Sequence, residues 1–224
     1  MTDGVTFYFI RHGETYLNYY GRIQGWADAP LTEKGEADVL KSGRGLSDVK
    51  FDAVYTSDLT RTLKTAELIL SENKATSKDV PKQAMSEFRE VFFGSLEGVK
   101  GSELWKKVAE ELGYPSSKEL FLNTDIPERL NGIKQADPFG DAEDFMTFWH
   151  RIERGLLKLV EKHRDTGDTV LLVAHGGTIR YMLNGLIPEL EDPDSLLNAS
   201  VTVAKYDDGH YQLERYNDVS HFTE

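Results

Sequence analysis

Four short segments of the chain carry residue types that do one kind of chemistry when brought together. They are Arg11-His12-Gly13-Glu14-Thr15, Ser57 to Thr62 with Arg61, Phe88-Arg89-Glu90, and His175-Gly176-Gly177-Thr178. A phosphoryl dianion needs positive charge and several hydrogen-bond donors. Arg11 and Arg61 offer bidentate guanidinium forks, which match phosphate better than lysine does. Cations beside a histidine depress its pKa, so one imidazole stays neutral and nucleophilic near neutral pH. A carboxyl such as Glu90 can protonate the departing oxygen, with Glu87 and Glu97 as neighbouring alternatives. Helix N-termini after Ser57 and after Gly176 would add backbone N–H groups and a favourable dipole. Gly176-Gly177 permits close backbone approach to a ligand.

These residues need elements that bring them to one place. Val5–Arg11 is aromatic and β-branched and reads as a buried strand. Thr32 reads as the N-cap of a helix to about Leu46. Ala53–Thr56 is a second short strand. Ser57 or Asp58 then caps a helix that places Leu59, Leu63, Ala66 and Leu70 on one face. A short strand is expected near Gln83–Phe88 and a helix over Gly101–Leu112. Residues 113–140 read as irregular. A helix from Asp141 to about His163 carries Phe145, Trp149, Ile152, Leu156 and Leu159 at helical spacing. The run Asp168–Ala174 is a strand buried on both faces, Thr178–Leu186 a helix, and Ser200–Tyr216 a hairpin around Asp207-Asp208-Gly209.

Alternating strands and helices predict a three-layer α/β/α sandwich with a mostly parallel central sheet. A single domain over residues 1–224 is expected, with a cap or insert around 100–140. In such sheets, sites lie beyond the carboxyl ends of the strands, and all four chemical segments follow predicted strands.

Composition narrows the options. The 224 residues contain 38 acidic and 26 basic side chains, a formal net charge of −12, and no cysteine. The charge argues against nonspecific nucleic-acid binding. No apolar run approaches a membrane span, and a cytoplasmic location is expected. The missing thiols exclude disulfides and a cysteine nucleophile. Much of the acidity is local: Asp137, Asp141, Glu143 and Asp144 precede one helix, and Glu189, Glu191, Asp192 and Asp194 sit in an expected loop. No GxxxxGK[ST] loop, GxSxG elbow or HExxH pair occurs. His150, His163, His210 and His221 read as surface or satisfied structural histidines.

RHGET at 11–15, Arg61 in SDLTRTLKTA, Glu90 in FREVFFGSLEG and His175 in AHGG, in that order, resemble the histidine phosphatase superfamily, which includes the cofactor-dependent phosphoglycerate mutases and many phosphatases. The resemblance implies that His12 is the nucleophile and forms a phosphohistidine. It implies that Arg11, Arg61 and His175 hold the phosphoryl oxygens and that Asn18 donates to them. Gln24 and Gly25, in GRIQGW, would close over the phosphate, with Gly176 at the substrate as well. Glu90 would donate the proton and later activate water. No metal and no cofactor are implied, and the expected partner is a small phosphomonoester.

Mutases of this group usually carry an adjacent arginine pair, read AHGNSLR, and place a tyrosine three residues after the acid. This chain has no Arg-Arg, reads AHGGTIR, and has Phe93 there. These departures favour hydrolysis. Mutase-type phosphotransfer is the alternative, and a non-catalytic phospho-ligand binder a third reading. Phe92, Phe93, Trp26, Arg22, Lys100, Arg129 and Lys134 are candidates for shaping the entrance or contacting a substrate tail.

Overall fold

The structure is a computed structural model that describes residues 4–191 and 193–224. Asp192, in the acidic stretch noted above, lies outside the described residues. The mixed α/β fold is built on a six-stranded sheet in the order β3-β2-β4-β1-β5-β6. These strands are β1 (Val5–Arg11), β2 (Ala53–Thr56), β3 (Lys82–Ala84), β4 (Thr169–Ala174), β5 (Val201–Asp207) and β6 (His210–Asp218). The first four in spatial order, β3 to β1, run parallel, and β5 and β6 add an antiparallel edge hairpin. Continuous apolar strands are what a sheet covered on both faces requires. Phe7, Phe9, Val170 and Leu172 face one buried cluster, and Ile10, Leu171 and Val173 face another.

Helix α1 is Tyr16–Tyr19, α2 Glu33–Gly45, α3 Thr60–Glu72, α4 Gly101–Glu111, α5 Ser117–Asn123, α6 Ile126–Ala136, α7 Phe145–His163 and α8 Gly176–Leu186. The predicted cap of α2 is borne out, since the Thr32 side chain accepts from Gly35 N–H. In α3 the buried face is Arg61, Thr62, Thr65, Ala66 and Ile69, while Leu63 is exposed. The expected apolar stripe is therefore rotated, because the helix turns its polar side toward the chemistry. Its N-cap is Leu59, not Ser57 or Asp58.

The expected irregular stretch 113–140 instead holds α5 and α6. Ser116 caps α5, and Asp125 and Glu128 form a capping box on α6 with Pro127 in its first turn. The two helices pack with α4 around Leu104, Val108, Leu120 and Ile133, a cluster that also engages Ile23, Phe93 and Val99. The strand expected near 83–88 is only Lys82–Ala84, followed by a 3-10 turn at Ser86–Phe88. Acidic residues before α7 are structural: Asp137 is buried and accepts from Phe139, Asp141 and Ala142 N–H, Glu143 pairs with Arg151, and Asp144 caps the helix. Among the described residues, no helix is long and apolar enough to cross a membrane.

Candidate active site

Strand register brings the four chemical segments to one sheet edge. Arg11 is opposite Ala174 in the β1–β4 pairing, so His12 and His175 leave neighbouring strands side by side. His12 N–H donates to Ala174 C=O at 3.0 Å, and Ser57 N–H to Val173 C=O at 3.1 Å. The imidazole centroids of His12 and His175 lie 5.2 Å apart, and both rings are buried.

His12 Nδ1 is 2.8 Å from Gly13 C=O. A carbonyl only accepts, so Nδ1 carries the proton and Nε2 presents its lone pair. His175 Nε2 is 2.8 Å from Ser57 Oγ, itself 2.8 Å from the Thr62 hydroxyl. Burial holds both histidines well below the ordinary value, and the positive charges of Arg61 and Arg11 lower them further. Neighbouring cations, the cause expected from sequence, therefore rank behind desolvation.

His175 Nδ1 itself and three side-chain nitrogens near the pair, Arg11 Nε, Arg61 Nε and Gln24 Nε2, are buried without a protein hydrogen-bond partner, as are more scattered atoms such as Thr56 Oγ1, Ser200 Oγ and His221 Nδ1. Orphaned buried polar atoms are uncommon because each forfeits its hydration, and a cluster of donors among them makes a cradle that suits an anionic ligand. The rest of each side chain is fixed. Arg11 donates to Leu196 C=O through Nη1. Arg61 is 1% exposed and donates to Gly25 C=O at 2.6 Å, Ala27 C=O at 3.1 Å and Asp28 Oδ1 at 3.0 Å. Gln24 Oε1 accepts from the Thr15 hydroxyl at 2.6 Å.

Glu90 is brought beside Arg11 and the start of α8. Its Oε2 accepts from Gly177 N–H at 2.9 Å, and its Oε1 from Val91 N–H at 3.0 Å and the Thr178 hydroxyl at 3.2 Å. Glu90, Arg11, Gly176 and Gly177 line one cavity of about 160 Å³ with Arg180, Tyr181 and Ser195. The alternative acids are engaged elsewhere: Glu87 pairs with Lys158 at 2.5 Å, and Glu97 accepts four backbone N–H groups.

The glycines and helix ends act differently from expectation. A Cβ on Gly176 would press on Arg11 Nε at 3.1 Å, and one on Gly177 would meet Glu90 Oε1 at 2.6 Å. They make room for the pocket's own side chains. Helix α8 begins at Gly176, two residues earlier than expected. At α3 the Thr60 N–H is taken by Asp28 Oδ2 at 2.6 Å, so that helix end is already occupied by a carboxylate. Asn18 Oδ1 accepts from Thr15 N–H at 3.3 Å and Asn198 Nδ2 at 3.4 Å, which leaves its Nδ2 as the available donor.

Several supporting residues had no motif to reveal them. Arg151, on α7, donates to the carbonyls of Glu87, Arg89 and Glu90 and fixes the backbone that carries Glu90. Asn198 donates to His12 C=O at 3.0 Å. Asp28 braces Arg61. Their only signal is a polar side chain in a segment that folds back from afar. Among the entrance candidates, Trp26 packs against Phe92 in a tilted arrangement with centroids 4.9 Å apart and lies under the Arg89 guanidinium. Arg22 donates to Gly98 C=O, Lys134 to Ala142 C=O, and Arg129 is buried over the Phe121 ring. Lys100 is exposed.

A buried histidine pair among arginines, at the carboxyl edge of a mainly parallel sheet, points to a class of protein. Residues 7–219 match the histidine phosphatase superfamily (branch 1), and the chain belongs to that family. It is similar over 99% of its length, at 37% identity and a TM-score of 0.92, to a crystal structure of phosphoglycerate mutase from Bacillus anthracis, of which 97% is covered. A phosphoserine phosphatase variant from Entamoeba histolytica in complex with phosphoserine matches 98% of this chain and 100% of its own at 27% identity and a TM-score of 0.70. The uncharacterized phosphatase PhoE of Bacillus subtilis is 29% identical over 96% of this chain and 95% of its own. Relatives thus include both phosphatases and mutases.

Proposed function

We propose that this protein hydrolyses small phosphomonoesters through a phosphohistidine on His12. The observation that carries the reading is the set of four unpartnered buried donors around a histidine whose Nε2 lone pair is open. In this reading Arg11, Arg61 and Gln24 donate to the phosphoryl oxygens, with Asn18 Nδ2 at the rim. His175 joins them through Nδ1–H when Ser57 donates to its Nε2. His12 Nε2 attacks phosphorus, the P–O ester bond breaks, and the Glu90 carboxyl passes its proton to the departing alcohol oxygen. Water then attacks phosphorus while Glu90 takes a proton from it, the P–N bond breaks with its electron pair returning to Nε2, and inorganic phosphate leaves with neutral His12 restored. Every group in this cycle is a side chain of one domain spanning the chain, with helices α4 to α6 as its insert.

The test is release of inorganic phosphate from a panel of phosphomonoesters. Turnover of one or more supports the reading, and none by folded protein returns the chain to the phospho-ligand binders. Similarity to the B. anthracis mutase keeps phosphotransfer as the second reading. The absent Arg-Arg pair and Phe93 favour hydrolysis. Incubation with 3-phosphoglycerate and a bisphosphoglycerate primer separates them. Stoichiometric conversion to 2-phosphoglycerate without free phosphate would establish the mutase.

A further inference from the structure

Glu97 holds the segment whose carbonyls fix Arg61. Its Oε1 accepts from Trp26 N–H at 2.9 Å and Phe93 N–H at 3.2 Å, and its Oε2 from Gly25 N–H at 2.9 Å and Ala27 N–H at 3.2 Å. The carbonyls of Gly25 and Ala27 are taken by Arg61. Residues 25–27 are therefore gripped through their N–H groups by an anion and through their C=O groups by a cation. Such charge-assisted bonds are the strong ones. Ile23 N–H to Val99 C=O at 2.8 Å and Gly98 N–H to Ile23 C=O at 3.0 Å tie the same two segments together just beyond. Gly25 is required here, since a Cβ would land on Val91 C=O and Glu97 Oε1.

The loop's grip on Arg61 is what leaves Nε as its unpartnered donor, and Gln24, which carries another, is the residue just before the gripped segment. We propose that Glu97 is a positioning residue that sets the anion affinity of the cradle. It acts by holding the 24–27 loop and, through the loop carbonyls, the guanidinium of Arg61. This rests on reading the cradle as a phosphoryl site.

The test uses the full chain with inorganic phosphate as probe. Phosphate affinity is measured by calorimetry for wild type, E97Q and E97A, beside thermal unfolding and the steady-state constants for p-nitrophenyl phosphate. E97A should lose phosphate affinity about tenfold or more, because four part-buried N–H groups lose their charged acceptor and the loop relaxes. E97Q should lose less, since its amide oxygen keeps part of the acceptor set. In both, KM should rise by a larger factor than kcat falls, because the phosphoryl oxygens are held before and during reaction alike. Wild-type phosphate affinity in folded E97A would overturn the proposal, whatever its melting temperature. If E97A does not fold, unchanged affinity in E97Q overturns it equally. Absence of phosphate binding by the wild type would overturn the cradle reading itself, a distinguishable failure.

Discussion

The molecule buries two histidine clusters with opposite hydrogen-bond accounts. His163, at the end of α7, is 4% exposed and fully engaged: Nε2 lies 2.8 Å from the Tyr55 hydroxyl and Nδ1 2.7 Å from Asp168 Oδ2. His12 and His175 are as buried but sit among guanidiniums, beside four donors that nothing in the protein satisfies. Burial alone therefore does not mark a functional histidine. A closed account is what a structural one shows, because a buried polar group without a partner loses its hydration for nothing. A cluster of open accounts on donors of one sign is what an anionic ligand would close, whereas single ones such as His221 Nδ1 and Ser200 Oγ also occur away from it.

Breaking the open cluster should cost activity, and breaking the closed one should cost stability. His12→Ala should remove turnover by about four orders of magnitude or more, since the nucleophile has no substitute in a chain without cysteine. Steady-state release of phosphate measures this. Glu90→Gln should slow alkyl phosphates by about 10²- to 10⁴-fold and p-nitrophenyl phosphate far less, because a good leaving group needs no proton. Equal losses on both would remove Glu90 from the acid role. Arg61→Lys should lower kcat/KM by about 10²-fold, as a lysine cannot grip the loop carbonyls and the phosphoryl group together.

The pH dependence sharpens the contrast. His12 and His175 titrate well below the ordinary value of 6.5 in the folded protein. The unfolded chain thus takes up protons that the folded one refuses as pH drops below about 6.5, and their contribution to stability is lost in that window. Denaturant titrations at pH 7.5 and pH 5.5 should show the difference, smaller in His12→Asn. The same depression keeps His12 neutral, so if His12 is the proposed nucleophile the acid limb of kcat/KM should lie below pH 6.5. A limb at 6.5 or above would contradict it. The smallest effect on activity belongs to His163→Phe, which should leave kcat unchanged while lowering stability by about 1–3 kcal/mol through the stranded Tyr55 hydroxyl and Asp168.

Much of this contrast was legible in the sequence, for a simple reason. Strand ends are readable, and a parallel sheet gathers whatever follows its strands on one edge, so His12, Ser57 and His175 could be brought together without coordinates. Glu90 was reachable through the short edge strand before it. The face of α3 was not, because apolar periodicity chose Leu63 where the fold buries Arg61, whose carbonyl and Asp28 partners come from a distant loop. Helices α5 and α6 were hidden by polar composition, although Ser116, Asp125, Pro127 and Glu128 carried cap signals. Arg151, Asn198 and Asp28 act across long separations, which no local pattern records. The role of the Thr15 hydroxyl in turning Gln24 was likewise invisible, since it needs two loops in register.

The central claim is that the open account around His12 exists for a phosphoryl group transferred to that ring. A reaction with a phosphorus-labelled monoester, quenched without acid within one turnover and mapped by mass spectrometry, tests it directly. The label should appear on His12, as the Nε2 isomer because Nδ1–H is committed to Gly13, and should vanish in His12→Ala. Label that persists in His12→Ala, or that maps to another residue while turnover proceeds, would contradict the account.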